Sequence, residues 1–210
     1  MKASGGYHHG DLRAAILTAA DEILEQDGLR GLTLRKCARL AGVSHAAPSH
    51  HFGDLNGLLA AVAEQGFARL ADALEAEIGQ AKGDLEAEMQ ATTRAYVKFA
   101  ENSPEHFRIM FRGDLINFDM SQPPKAVTKT FVELTNVVLR QRGEAEVTTE
   151  DFHQTRSPEL VNDIIIGWCY IHGFAHLKLE GQLGMIPDQL HDEQMALAAT
   201  KLSHLIQQLS

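Results

Sequence analysis

The chain has 210 residues, of which 44% are hydrophobic and 22% are charged, a balance typical of an ordinary globular protein with a sizeable core. The net charge of −9 argues against a nucleic-acid partner for the chain as a whole, and no run reaches the roughly 18 apolar residues of a membrane helix. With two widely separated cysteines and no apolar signal segment, we expect a cytoplasmic protein without disulfides or a thiolate metal site.

Helical spacing of apolar residues recurs along almost the whole chain, and no segment alternates like a strand. The pattern predicts an all-α fold of about nine helices. The first three are a helix closed by Asp27 and Gly28, a short helix capped by Thr33 and a second short helix opened by Ser44. A long helix at about 54–79, a helix at about 85–99 and a helix starting at Pro104 follow. After a loop at 113–124, the last three helices are predicted at 125–142, 158–180 and 188–209.

The negative charge is distributed unevenly. Residues 1–60 contain six Lys or Arg and six Asp or Glu, so the excess negative charge belongs entirely to the rest of the chain. Such asymmetry indicates two regions with different partners. We therefore expect one domain at 1–55 and a second at 56–210, with the long helix at about 54–79 connecting them.

The stretch GVSHAAPSHHF, residues 42–52, contains three histidines. His45, His50 and His51 are not three or four residues apart, so no two of them share a helical face as metal ligands would. A short helix, a turn at Gly42 and a second short helix instead predict a helix-turn-helix. Small and hydrogen-bonding side chains near the start of the second helix suit an approach to DNA base edges.

Residues 10–67, with the elements LTLR, AGVS and HF in this order and spacing, resemble the N-terminal domain of the TetR family of transcriptional regulators. Further on, WCYIHG at 168–173 resembles the Trp…His-Gly (WHG-type) signature of one C-terminal subclass of that family. The resemblance implies a homodimeric repressor that binds double-stranded DNA, is released by a small-molecule effector, and has no catalytic activity, cofactor or membrane partner.

Carried over position by position, the resemblance implies these DNA-binding residues: Thr33, Arg35, Lys36, Ser44, His45, Ala46, Ala47, Ser49 and His50. Thr33 would hold a phosphate through its hydroxyl and the helix N-terminus, while Ala46 and Ala47 would touch thymine methyl groups. The family usually has a tyrosine in place of Ser49 and a lysine in place of Leu55. We therefore expect weaker DNA binding than the family norm.

The region after Phe67 has no phosphate loop, nucleophile elbow or HExxH motif, but it is rich in aromatic and sulfur-containing residues. Most of these residues suit a plain hydrophobic core, but the resemblance implies a cavity for a moderately apolar effector, lined by Tyr96, Phe99, His106, Met110, Phe111, Phe131, Trp168 and His172. Tyr96, His106 or His172 would supply a polar contact, although each also suits a buried polar group with its own partner.

Residues 158–180 are apolar nearly all round, and such a helix must be covered on every side. By resemblance, one face lines the effector cavity and the other joins the last helix in a four-helix dimer interface. The residues expected in that interface are Ile164, Ile171, Ala175, Leu197, Leu202 and Leu205.

Two alternatives remain at this point. His172 and His176 are four residues apart on a predicted helix, so they share a face and could ligate a metal in a metal-sensing protein. The second alternative is a helical small-molecule-binding protein with impaired DNA binding. It is suggested by Ser49 and Leu55, which stand in place of the family's usual tyrosine and lysine.

Overall fold

The computed structural model describes residues 9–209 except residues 82, 117, 120, 153 and 155, and every regular element in this part of the chain is an α-helix. The nine helices found there are α1 (His9–Gly31), α2 (Leu34–Leu40), α3 (Ala47–Phe52), α4 (Leu55–Ile78), α5 (Leu85–Asn102), α6 (Pro104–Met110), α7 (Lys125–Gln141), α8 (Pro158–Leu179) and α9 (Asp188–Leu209). The predicted all-α fold is confirmed. None of these helices is long and apolar enough to cross a membrane.

The two short helices of the predicted helix-turn-helix begin differently. The hydroxyl of Thr33 caps α2 as predicted, accepting the backbone N–H of Lys36 at 3.2 Å. The prediction that Ser44 caps the next helix is wrong, because its carbonyl instead closes a turn with the N–H of Ala47 at 3.0 Å and α3 begins only at Ala47. Pro48 lies in the first turn of α3, where its missing N–H needs no partner.

Helix α1 is interrupted at Gly28. This residue has φ 64° and ψ −173°, a conformation that only glycine adopts without strain. The N–H of Leu29, exposed by the break, donates to Oε2 of Glu105 at 3.2 Å. The break predicted at Asp27 and Gly28 is therefore present, and a carboxylate from α6 stabilises it.

The chain divides into two units, and the division differs from the boundary expected at residues 55 and 56. The N-terminal unit contains the residues up to Gly66 together with Glu105–Asp119, and the C-terminal unit contains Phe67–Pro104 together with the residues from 120 onward. The N-terminal unit thus includes the first half of α4 and nearly all of α6. Local patterns cannot reveal this division, because it depends on contacts between segments far apart in sequence.

The core of the N-terminal unit consists of fully buried aliphatic side chains from α1 and α4, including Ile16, Ile23, Leu58 and Val62. Helix α6 approaches α4 closely at Gly66, where an added Cβ would lie 2.5 Å from Sδ of Met110. This close approach depends on the missing side chain of the glycine.

The C-terminal unit contains the second half of α4 together with α5, α7, α8 and α9. Its apolar cluster consists of Met89, Val137, Val138, Leu139, Leu160, Ala199, Leu202 and Ile206. Two buried carboxylates connect its helices. Glu88 on α5 accepts from Arg140 on α7 at 2.6 Å, and Asp163 on α8 accepts from Arg142 at 2.5 Å. Because each carboxylate has a cation against it, neither is an unpaired buried charge.

We expect Gly28→Ala to lower the free energy of unfolding by about 1–3 kcal/mol, because alanine is strained at this backbone conformation. The added Cβ would not cause a steric clash, since the atom nearest to it is Oε2 of Glu105 at 3.6 Å. The measurement is urea denaturation followed by circular dichroism. Gly113→Ala is the matched control, because it lies in the same unit at an ordinary φ with no atom within 4 Å. Equal stabilities of the two variants would contradict the assignment of strain to Gly28.

Candidate functional site

A helix-turn-helix lies in the N-terminal unit. Helix α2 ends in a turn at Gly42, whose φ of 67° is in the left-handed region that glycine favours. The N–H of Val43 donates to the carbonyl of Ala38 at 3.0 Å, and Ala38 is itself fully buried. The turn between α2 and α3 is therefore fixed by its backbone conformation, a hydrogen bond and the core beneath it.

Most of the predicted base-contacting residues are available to a partner. The turn before α3 and the outer face of α3 expose Ser44, His45, Ala46, Ser49 and His50. The exception is Ala47, which is only 7% exposed because the first residue of α3 faces the core. The prediction that Ala47 touches a thymine methyl group is therefore wrong, and Ala46 alone is placed for such a contact.

The basic residues near the helix-turn-helix differ in their exposure and in their contacts. Arg35 is exposed on α2, whereas the ammonium group of Lys36 forms an ion pair with Asp27. Arg13 on α1 lies with its guanidinium carbon 5.3 Å from the centre of the Phe52 ring at the end of α3. Sequence reasoning missed Arg13 as a neighbour of α3, because 39 positions separate it from Phe52 and no local pattern connects them.

The C-terminal unit contains a partly open apolar cavity of about 40 Å³ between α5, α7 and α8. Its lining consists of Met89, Thr92, Phe131, Leu134, Val137, Val138, Ile164, Gly167, Trp168 and Ile171. Two predicted ligand-binding residues, Phe131 and Trp168, are in this lining, and their rings meet edge to face at 5.4 Å.

Tyr96 and His172, also predicted to bind ligand, lie behind Trp168 rather than in the described lining. The indole N–H of Trp168 donates to the hydroxyl of Tyr96 at 3.4 Å, and this hydroxyl lies 3.0 Å from Nδ1 of His172. A hydroxyl that accepts from the indole and donates to the imidazole satisfies the indole N–H, the hydroxyl proton and Nδ1. Phe99 is likewise buried outside the described lining.

Burial controls the ionisation of both polar residues. It raises the pKa of Tyr96 well above its ordinary value. It also lowers the pKa of His172, and the neighbouring His176 lowers that pKa further. Both groups are therefore neutral around neutral pH.

Three predicted cavity residues lie outside the described lining of this cavity. His106, Met110 and Phe111 belong to the N-terminal unit. His106 is buried with Nε2 3.0 Å from Oδ1 of Asp21 on α1, and Phe111 stacks edge to face on Phe107 at 5.4 Å. Their apolar and aromatic character reflects packing in that unit.

The predicted histidine pair is present on α8. His172 and His176 share a face of this helix, and their rings stack with centroids 6.3 Å apart. Tyr96 already contacts Nδ1 of His172. Within the described residues, no group of three His, Cys, Asp or Glu side chains could hold a metal ion. The metal-sensing alternative therefore gains no support from this geometry.

The predicted dimer-interface residues divide into two groups. Ile171, Ala175 and Leu202 are buried inside the C-terminal unit, so they are wrong as interface residues, and Ile164 lines the cavity. Leu197 and Leu205 on α9 are 48% and 44% exposed. Sequence reasoning missed the exposed aliphatic residues of α8, which are Val161, Ile165, Ile166 and Leu177, and Leu190 on α9 is also exposed. We call the exposed aliphatic residues of both helices the α8/α9 face.

We expect the free energy of unfolding to fall between about pH 7.5 and pH 5.5, partly because the unfolded chain protonates His172 more readily than the folded chain does. Since the folded pKa is lowered, this contribution to stability is complete above the ordinary histidine pKa and is lost as pH falls toward the folded value. The slope from one histidine is at most about 1.4 kcal/mol per pH unit. The measurement is urea denaturation across this pH range for the wild type and His172→Asn, whose slope should be shallower.

The control for this prediction is His45→Asn, since His45 is exposed in the other unit. This variant should keep the wild-type slope. Identical slopes for the wild type and His172→Asn would show that His172 is not the group responsible.

Two protein-family models match the chain. The model described as bacterial regulatory proteins, tetR family, matches residues 16–62, and the model described as Tetracyclin repressor-like, C-terminal domain, matches residues 89–201. The second match alone covers more than half of the 210 residues.

Curated relatives include transcriptional regulators. The HTH-type transcriptional regulator BetI of Ectopseudomonas mendocina is 34% identical over 121 residues, which are 57% of this chain and 51% of the relative. BetI 1 of Chromohalobacter salexigens is 30% identical over 129 residues, 61% of this chain and 54% of the relative. The chain thus spans about half the length of the curated relatives it matches.

Solved structures share the fold over nearly the whole chain. A protein of unknown function from Rhodococcus sp. RHA1 is 33% identical with a TM-score of 0.73, covering 96% of this chain and 98% of that one. The TetR protein of Acinetobacter baumannii AYE is 17% identical with a TM-score of 0.60, covering 92% of this chain and 95% of that one. At that identity the second likeness concerns the fold alone.

Proposed function

We propose that this chain, which belongs to the tetR family of bacterial regulatory proteins, represses transcription by binding a pseudo-palindromic DNA site as a homodimer and is released by a small molecule. The observation that carries the proposal is the exposed turn and outer face of α3, held by a fixed turn after α2. The N-terminal unit reads DNA, and the C-terminal unit provides dimerisation and the effector cavity. Trp168, His172 and Gly173 support placing the C-terminal unit in the Trp…His-Gly subclass.

The exposed residues near α3 have two roles in this proposal. His45, Ser49 and His50 meet base edges in the major groove, where their hydrogen-bonding groups distinguish base pairs. Thr33 and Arg35 hold phosphates, which set the position of α3 without carrying sequence information. The neutral charge balance of residues 1–60 makes this interface compatible with DNA despite the net charge of the chain.

Dimerisation is required because two recognition helices must reach major grooves about 34–36 Å apart on a two-fold symmetric site. The α8/α9 face suits this role, since its aliphatic residues are 36% to 50% exposed in the single chain. Its two helices from each protomer would form a four-helix contact around a two-fold axis.

The effector acts by binding one arrangement of the dimer better than the other. Its influence on DNA affinity cannot exceed its own difference in affinity for the two arrangements. The apolar cavity in the C-terminal unit is the site proposed for it.

The direct test is selection of binding sites from fragmented genomic DNA by the purified protein, followed by anisotropy titration of the best site against random duplex. A two-fold symmetric site favoured by at least about a thousandfold supports the proposal. Equal, weak binding to every duplex would favour the second candidate, a helical small-molecule-binding protein with impaired DNA binding. Ser49 and Leu55 favour that candidate, because the family resembled here usually has a tyrosine and a lysine at these two positions.

We expect Arg35→Ala to weaken binding to specific and random DNA alike, and to reduce the slope of log affinity against log salt by about 1, because one phosphate contact is lost. The measurement is anisotropy across a salt series. Lys125→Ala, which removes an exposed charge from the C-terminal unit, is the matched control and should keep the wild-type slope. An unchanged slope for Arg35→Ala would show that Arg35 does not contact a DNA phosphate.

We expect Leu197→Glu to weaken self-association by at least about a hundredfold, because a carboxylate would be buried without a partner in the dimer. Leu197 is exposed in the single chain, so the fold should be retained. Sedimentation velocity measures the oligomeric state, and circular dichroism checks the fold. Gln182→Glu adds the same charge at an exposed position outside α8 and α9 and should remain dimeric. A fully dimeric Leu197→Glu protein would place the interface elsewhere.

A further inference from the structure

The apolar cavity of the C-terminal unit exists partly because Gly167 has no side chain. An alanine Cβ at this position would lie 3.9 Å from Cγ2 of Val138, which is ordinary van der Waals contact. The space next to Gly167 is thus large enough for a methyl group and is not filled. A helix with an interior glycine is less stable than the same helix with alanine. The open space next to Gly167 therefore has a cost in helix stability.

The chemistry of the lining is almost entirely apolar. The described lining residues include no Lys, Arg, His, Asp or Glu. The hydroxyl of Thr92 donates to the carbonyl of Glu88 at 2.7 Å, and the indole N–H of Trp168 donates to Tyr96. Both polar groups near the cavity therefore already have partners. An ion entering the cavity would lose its water without gaining a counter-charge.

The size of the cavity sets a further limit. A volume of about 40 Å³ is well below the roughly 150 Å³ of an apolar cavity that binds benzene, so a ligand of that size must displace part of the wall or extend through the open side of the cavity. Met89 can move, because its side chain is unbranched and flexible. The edge-to-face pair of Phe131 and Trp168 provides ring surfaces suited to an aromatic guest.

We infer that this cavity binds a small, uncharged, apolar molecule with an aromatic ring, and that Gly167 is the residue that makes room for it. The inference rests on the proposed function in taking this cavity as the effector site. It excludes organic cations and carboxylates from the cavity, because nothing in the described lining neutralises either charge.

The test uses the intrinsic fluorescence of Trp168, which is the only tryptophan of the chain and part of the cavity wall. The full-length protein, without DNA, is titrated with benzene and toluene and with two charged molecules built on the same ring, benzylammonium and benzoate. We expect a saturable change with benzene or toluene, and binding at least about a hundredfold weaker for both charged molecules.

Gly167→Ala tests the role of the glycine. We expect it to weaken binding of the neutral molecules by at least about tenfold, because its methyl group occupies the space they use. Gly173→Ala is the matched control: it lies on the same helix with no atom within 4 Å of an added Cβ, and it should bind as the wild type does. Thermal melts verify that both variants are folded, and both replacements favour the helix.

Two results would overturn the inference. Equal binding of neutral and charged molecules would show that the lining does not select against charge. The absence of any saturable change with benzene and toluene would mean that the cavity is a packing void only. Both results are independent of DNA, so they are distinguishable from a failure of the proposed function, which the site-selection experiment detects by itself.

Discussion

Helix α8 is apolar on nearly every side, and this single property constrains the rest of the C-terminal unit. Ile171 and Ala175 face inward and are buried by neighbouring helices. Gly167 and Trp168 border the cavity, whereas Ile165 and its exposed neighbours are left uncovered by the described part of the chain. One helix therefore contributes to the core, to the proposed effector site and to the proposed contact between protomers.

The buried ion pairs make this arrangement specific. Aliphatic residues alone tolerate more than one helix register, whereas a buried carboxylate needs its cation at one place. Glu88 and Asp163 meet Arg140 and Arg142 in this way, which relates α5 and α8 to the end of α7. The cavity between those three helices is thus bounded by elements whose relative positions are determined by charge as well as by packing.

In the N-terminal unit, polar contacts from α6 have a comparable role. Glu105 accepts from the backbone at the break of α1, and His106 contacts Asp21 earlier on the same helix. These contacts hold α6 against α1, while Gly66 allows α6 close to α4. The helix-turn-helix packs against α1, and α1 is itself held by α6, a helix distant in sequence.

Much of the fold and part of the site could be predicted because they depend on local chemistry. The positive φ of Gly42, the hydroxyl cap at Thr33 and the break at Gly28 follow from properties of single residues and their immediate neighbours. The predicted start of α3 is too early, because the cap rule cannot distinguish a serine hydroxyl from a serine carbonyl as acceptor. The burial of Ala47 was missed for a related reason, since a six-residue helix is too short for its apolar pattern to indicate a face.

The sequence by itself determined the helices, the turn between α2 and α3, and the uneven charge of the two halves, since each depends on residues close together in the chain. Only the tertiary structure decided that His106 belongs with Asp21, that Tyr96 lies behind Trp168, and which leucines of α9 are exposed. The reason is physical: an apolar or aromatic side chain gains the same free energy from burial against any apolar neighbour, so its type does not specify its partner. The partner is selected by how whole helices pack, and that selection involves contacts more than 70 residues apart in sequence.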